Sequence, residues 1–219
     1  EKTVTVGVPV SDKYHPFTKA EQAEAIEQIT GKKSGRLLLV TGGGLGAKRI
    51  NDAVAANAEA LLERYPDLTI VQVAGRAQEA AMRQLYKKDL APELQKRVIV
   101  KGFVTNMYTY IGASDVVITR AGATSIAECA AQQKACIVVP NPVLAGGHQL
   151  KNAEVLAERA AVKLLPESRL RQDAGALMPP LVDLLDSPDR AKKLGKTLGL
   201  LTEPDSAKRL AVLLLEQAA

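Results

Sequence analysis

The sequence predicts an α/β fold: a doubly wound parallel sheet followed by a helical C-terminal segment. Three observations predict it. Short apolar runs recur at Arg36–Thr41, Leu68–Ala74, Val98–Gly102, Asp115–Thr119, Cys136–Pro140 and Ala161–Leu165. They lack polar alternation, as expected of strands covered on both faces. Helical patterns separate them, and beyond Leu170 no run of strand type remains. Strand–helix alternation places parallel strands side by side, and right-handed crossovers put helices on both faces.

Taken in order, Thr3–Val10 reads as an additional edge strand. It leads through "SDKYHPF" into a helix over Thr18–Ile29, and "TGKKSG" is a loop into the first core strand. Helices are predicted at Leu45–Arg64, Ala77–Leu90, Thr124–Gln133 and Gln149–Arg159, with a short turn near Asn106–Ile111. The C-terminal part reads as helices Asp173–Leu185, Arg190–Leu200 and Ser206–Gln217. The organisation is therefore residues 1–34 as linker, edge strand and first helix, residues 35–166 as a Rossmann-like core, and residues 167–219 as C-terminal helices of the same domain. The chain opens without methionine on an extended segment, which reads as a domain taken from a longer protein.

At 219 residues the chain buries roughly 70% of its unfolded surface and needs no disulfide or metal to fold. Cys129 and Cys136 fall on a helix and a strand, and read as buried thiols in a reducing compartment. No apolar run approaches the roughly 18 residues of a membrane span, and the first residues have no signal-peptide pattern. A cytosolic location follows as the expectation. The net charge is +5, but the basic groups in "YKKDL", "LQKR" and "DRAKKLGK" lie beside acids on solvated helix faces. Aromatics are only 3% of residues and do not interleave with them. A single-strand nucleic-acid platform is excluded on that ground.

The turn after the first core strand reads "TGGGLGAKR". Gly42-x-Gly44-x-x-Ala47 approaches the dinucleotide fingerprint, but that fingerprint needs an acid at the end of the second strand. Gly75 and Arg76 stand there instead. A Walker loop fails as well, since position 47 is alanine and Lys48 is followed by Arg49. What remains is a glycine turn that lets a diphosphate approach the backbone at a helix N-terminus, or a tight turn that binds nothing.

A second strand–turn–helix unit carries Arg120-Ala-Gly-Ala-Thr-Ser125, with Glu128 one helical turn further on. Helical spacing lets Thr124, Ser125 and Glu128 share a face. The carboxylate then suits the vicinal hydroxyls of a ribose. Ser125-Ile-Ala-Glu128 also fits a capping box, worth about 1 kcal/mol with no ligand. Both readings stand on the residues alone.

The motifs "VTGGGLGA", "VKGFVTNM", "ASDVVITRAGATSIAE", "VVPNP" and "GGHQLKNAEVL" occur in that order. Together they resemble the donor-binding, C-terminal half of the MurG-like UDP-N-acetylglucosamine transferases of glycosyltransferase family 28. The resemblance runs from about Val4 to Leu165, and "EPDSAKRLAVLL" is similar to the family's closing helix. It implies the C-terminal half of a GT-B glycosyltransferase, an enzyme of peptidoglycan synthesis that moves N-acetylglucosamine onto lipid I, a lipid-linked acceptor at the membrane surface. It also implies that Gly43, Gly44 and Leu45 lie on the donor's diphosphate, and that Phe103 and Val104 border the uracil. Ala123, Thr124 and Ser125 would meet the phosphates and Glu128 the ribose. His148, Gln149 and Asn152 would face the sugar.

No metal or cofactor is implied, because the UDP-sugar is itself the substrate. The general base, the acceptor site and the membrane-facing patch belong to an N-terminal acceptor domain that this sequence does not contain. The implied location is cytoplasmic and peripheral to the inner face of the membrane, and the chain alone is expected to bind donor without turning it over. Two departures qualify this. Ser11 stands where the family has an arginine near the diphosphate, so either Lys13, Arg120 or another base compensates or donor affinity is weaker. Gly44-Leu45 replaces a Ser-Gln pair. Other expectations are the donor domain of a diacylglycerol or polyprenyl lipid glycosyltransferase, a stand-alone donor subunit, or a non-catalytic Rossmann-type nucleotide-binding module.

Overall fold

A computed structural model describes residues 3–43, 47–142, 148–203 and 205–218. The chain runs through α1 (Lys19–Thr30), β1 (Arg36–Thr41), α2 (Lys48–Arg64), β2 (Leu68–Val73), α3 (Glu79–Asp89), α4 (Pro92–Gln95) and β3 (Val98–Lys101). It continues with α5 (Met107–Ala113), β4 (Val116–Thr119), α6 (Ala123–Ala131), β5 (Ala135–Val138), α7 (His148–Glu158) and β6 (Lys163–Leu164). After α8 (Glu167–Gln172) and a 3-10 turn (Ala174–Leu177) come α9 (Met178–Leu185), α10 (Pro188–Leu200) and α11 (Ser206–Ala218).

The strands form one parallel six-stranded sheet in the order β3-β2-β1-β4-β5-β6. This is the doubly wound arrangement read from the sequence. The direction of winding reverses between β1 and β4, which opens a crevice at their carboxyl ends.

Strand residues alternate between two apolar layers, as the period of two requires. Leu38, Val40, Ile70, Val116, Ile118 and Ile137 join α2, α3 and α9 on one face. Leu37, Leu39, Val71, Val117, Cys136 and Val138 join α1, α5 and α6 on the other. Helix α10 reaches both, since Ala191 and Leu194 belong to the first layer and Leu198 to the second. Cys129 and Cys136 are free and buried.

Three sequence expectations need correction. Thr3–Val10 is not a strand. Its alternating valines suggest one, but Gly7 has φ +79° and lies against Glu203 and Ser206. Pro9 further denies the segment a ladder donor. The predicted helix Asp173–Leu185 divides. Asp173 accepts a 2.7 Å bond from the Gly175 amide and starts the 3-10 turn, and α9 follows with prolines in its first turn. Helices α4 and α8 were not anticipated, being too short to show a period. The expected start of α2 at Leu45 lies outside the described residues.

Gly195 of α10 is packed against main chain. A Cβ built there would lie 2.0 Å from the carbonyl oxygen of Gln133. Gln133 itself holds φ +52°, so it has little freedom to yield. Gly195→Ala is therefore expected to destabilise the domain by at least about 1–3 kcal/mol, the usual cost of overpacking. An unchanged urea midpoint would contradict this packing.

Candidate functional site

A cleft of about 490 Å³ opens at the carboxyl edge of the sheet. Thr41 of β1, Val73 of β2, Gly102 after β3 and Thr119 of β4 form its floor. It lies at the reversal point between β1 and β4, the place where doubly wound sheets bind ligands. The buried Thr119 hydroxyl has no hydrogen-bond partner among the described residues. It is a polar group free to meet a ligand in the crevice.

Six of the residues expected at the site meet here: Gly43, Phe103, Val104, Thr124, Ser125 and Glu128. Gly43 holds φ +77°, a conformation glycine adopts without strain, and open space lies above its Cα. Phe103 is 49% exposed, which removes the reading of it as core. The Arg76 guanidinium stacks 4.6 Å from its ring centroid. Arg76 therefore stands at the mouth of the cleft. The sequence marked it only as the residue that displaces the acid of the dinucleotide fingerprint.

The structure separates the two readings of Ser125-Ile-Ala-Glu128. Helix α6 begins at Ala123 with Gly122 as N-cap, and no side chain caps it. Ser125 lies inside the first turn, so it is not the cap of a capping box. The first intrahelical bond at this end is Ile126 N–H to Gly122 C=O, 3.0 Å. The amides of Ala123, Thr124 and Ser125 consequently have no acceptor within the helix. A true capping box does occur elsewhere, at Thr18 and Glu21 of α1. Neither α2 nor α6 has an acid in its first turn or a side-chain cap, and both follow the loops around the cleft. Among the described residues nothing compensates their N-terminal partial charges, which suits an anion.

Glu128 is half-buried in the wall of this cleft. Burial pushes its carboxyl above the ordinary range, and the influence of the nearby Tyr14 hydroxyl partly opposes that. Burial and the nearby carboxylate raise the Tyr14 phenol. Tyr14 also lines the cleft. Sequence reading missed it because its segment has no regular structure.

Ala123, Gln149 and Asn152 are not among the described residues that line this cleft. Ala123 and Asn152 line a neighbouring recess on another side of α6, with Ile126 and Val155. Gln149 is turned to the backbone, its Oε1 accepting from the Asn141 amide at 3.0 Å. His148 begins α7. Gly44 and Leu45 lie outside the described residues.

Arg120 does not supply the counter-charge missing at Ser11. It is buried, donating to Glu167 Oε2 at 2.8 Å and to the Val139 carbonyl at 3.2 Å. Arg49 contacts the other oxygen of Glu167 at 2.8 Å. Lys13 is exposed and lies over the Tyr108 ring at 5.4 Å. Among the described residues no group of His, Cys, Asp or Glu is arranged to hold a metal, and no helix is long and apolar enough to cross a membrane.

The profile of the glycosyltransferase family 28 C-terminal domain matches residues 37–210. The chain belongs to this family. The family 28 domain is similar to two proteins named UDP-N-acetylglucosamine–N-acetylmuramyl-(pentapeptide) pyrophosphoryl-undecaprenol N-acetylglucosamine transferase. One, from Desulforamulus reducens, is 30% identical over 91% of this chain and 52% of the relative. The other, from Chlorobium limicola, is 33% identical over 92% of this chain and 52% of the relative. The family 28 domain thus spans about half the length of the curated relatives it matches. Among solved structures, it resembles the Acinetobacter baumannii MurG crystal structure with TM-score 0.71 and 23% identity, covering 95% of this chain and 57% of that one. That likeness shows the fold, a Rossmann-like parallel sheet covered by helices; the glycosyltransferase family comes from the profile match.

Proposed function

We propose that the family 28 domain binds UDP-N-acetylglucosamine and forms the donor half of a hexosyltransferase acting on a lipid-linked acceptor, lipid I, in peptidoglycan synthesis. The observation that carries this is the cleft between β1 and β4. It joins an uncapped helix N-terminus to a half-buried carboxylate. The two features suit the two polar parts of a nucleoside diphosphate, with amides for the phosphates and Glu128 for the ribose hydroxyls. Phe103 and Val104 offer an apolar edge for the base. The relatives' names supply the sugar and the acceptor.

In this reading the domain handles the leaving group. As an acceptor hydroxyl displaces UDP with inversion, charge accumulates on the diphosphate. In this reading the first-turn amides of α6, with Gly43 after β1, stabilise that charge. The general base and the acceptor site belong to an N-terminal acceptor domain, and the whole enzyme works at the cytoplasmic face of the membrane. No metal enters the reaction as proposed.

Calorimetric titration with UDP-N-acetylglucosamine, UDP-glucose and NAD tests the reading. The first should bind most tightly and NAD not at all, and the isolated chain should not transfer sugar to lipid I. Equal binding of the two UDP-sugars would favour a lipid glucosyltransferase. NAD binding without uridine preference would overturn the proposal.

A further inference from the structure

A further cavity, of about 290 Å³, is lined by Arg49, Asn141, Pro142, Glu167, Ser168 and Arg171. None of these residues lines the donor cleft. Connections that leave the carboxyl ends of β1, β5 and β6 build it. Arg49 stands in the first turn of α2, Asn141 and Pro142 follow β5, and Glu167, Ser168 and Arg171 belong to α8.

The charges in and behind this cavity do not balance. Arg49 Nε and Arg120 Nη1 each lie 2.8 Å from a different oxygen of Glu167. Arg171 lines the same cavity and has no carboxylate partner among the described residues. Three guanidiniums thus share one carboxylate, which leaves two positive charges in excess. The adjacent Lys48 does not alter this sum, because it pairs with Asp52 at 2.6 Å. Helix α2 adds to the imbalance, since its first turn has neither an acid nor a side-chain cap.

The three arginines divide by exposure. Arg120 is buried behind Glu167 and serves the fold. Arg49 is half-exposed and Arg171 exposed, so these two reach a solute. A guanidinium carries several donors in a rigid fork, and a single carboxylate oxygen does not exhaust those of Arg49. Ser168 adds a hydroxyl on the same wall.

We infer that Arg49 and Arg171 form a second anion site, which takes a diphosphate group. Paired guanidinium forks match phosphate oxygens, and the excess charge suits a polyvalent anion. The site also adjoins the donor-binding connections. Gly43 lies at the start of the β1–α2 connection and Arg49 just after it. The Asn141 amide donates at 3.0 Å to Gln149 of α7. The diphosphate has two possible sources, the nucleotide in the cleft or a second molecule. The first of these rests on the proposed donor reading; the site itself rests on its own charges.

The probe is inorganic pyrophosphate, titrated calorimetrically with and without saturating UDP. The proteins are the unaltered chain, Arg171→Gln, Arg171→Lys and Arg49→Gln. Arg171→Gln removes no ion pair of the fold and should keep the urea midpoint. It should weaken pyrophosphate binding about tenfold, as for loss of a hydrogen bond to a charged group. Arg171→Lys should recover part of that loss. Pyrophosphate that still binds the UDP-saturated chain, with the same dependence on Arg171, identifies a second molecule as the source. If UDP displaces it, and Arg171→Gln weakens UDP but not uridine, the nucleotide's own diphosphate is the source. Either result upholds the site. Pyrophosphate and UDP binding that both ignore Arg49→Gln and Arg171→Gln would overturn the inference and leave the donor reading intact. Absence of pyrophosphate binding, with UDP indifferent to both arginines, would overturn it too. Arginine-dependent pyrophosphate binding by a chain that does not bind UDP would uphold the site and overturn the donor reading.

Discussion

Glu167→Ala is expected to cost the domain about 3–5 kcal/mol, the usual effect of breaking a buried ion pair from one side. Glu167 is 8% exposed and Arg120 9% exposed, and they meet at 2.8 Å. Removing the carboxylate leaves the Arg120 guanidinium buried with the Val139 carbonyl as its remaining acceptor. Arg49, half in water, loses little by comparison. The loss is large against a total stability of about 5–15 kcal/mol for a typical domain. Urea denaturation measures it. The double variant Arg120→Met/Glu167→Leu should recover most of the loss, because apolar groups of similar volume do not leave an unpaired charge. If Glu167→Ala and the double variant unfold at the same midpoint, the charge itself is not what the site depends on. The position adds a second effect. Arg120 begins the loop that leads into α6, so loosening it also unsettles the amides of Ala123, Thr124 and Ser125.

Glu128→Ala is expected to lower UDP-N-acetylglucosamine affinity by about 1.5–3 kcal/mol, or roughly ten- to 150-fold, the worth of hydrogen bonds to a charged group. Stability should change little or rise, since the variant removes a carboxylate that burial holds in an unfavourable setting. Calorimetry and thermal unfolding on the same sample separate the two effects. A variant that loses affinity and melting temperature together would indicate that Glu128 supports α6 rather than ligand.

The sheet was legible because β1, β2, β4 and β5 are buried on both faces, which leaves no polar alternation to confuse them with a helix. The cleft was legible through its glycines and through the turn before α6. Other features were not, and each for a physical reason. Ser-x-x-Glu is compatible with a cap or with an open first turn, and only the position of Gly122 decides between them. The commitment of Arg120 depends on Glu167, which arrives from a distant helix. Tyr14 reaches the cleft that Glu128 lines only after the irregular segment 11–17 has packed against α5 and the turn after α6. The valines of Thr3–Val10 read as a strand because alternation carries no information about Gly7, whose backbone turns the segment towards the start of α11. There Arg209 Nη2 reaches the Thr5 carbonyl at 3.3 Å.

Helix α10 bears on cooperativity. It supplies Ala191 and Leu194 to one apolar layer and Leu198 to the other, and Gly195 sits between them in main-chain contact with the turn after α6. Opening either layer therefore withdraws the helix from both. The two sides of the sheet are expected to melt together, with amides deep in β1 and β4 exchanging with solvent only when the whole domain opens.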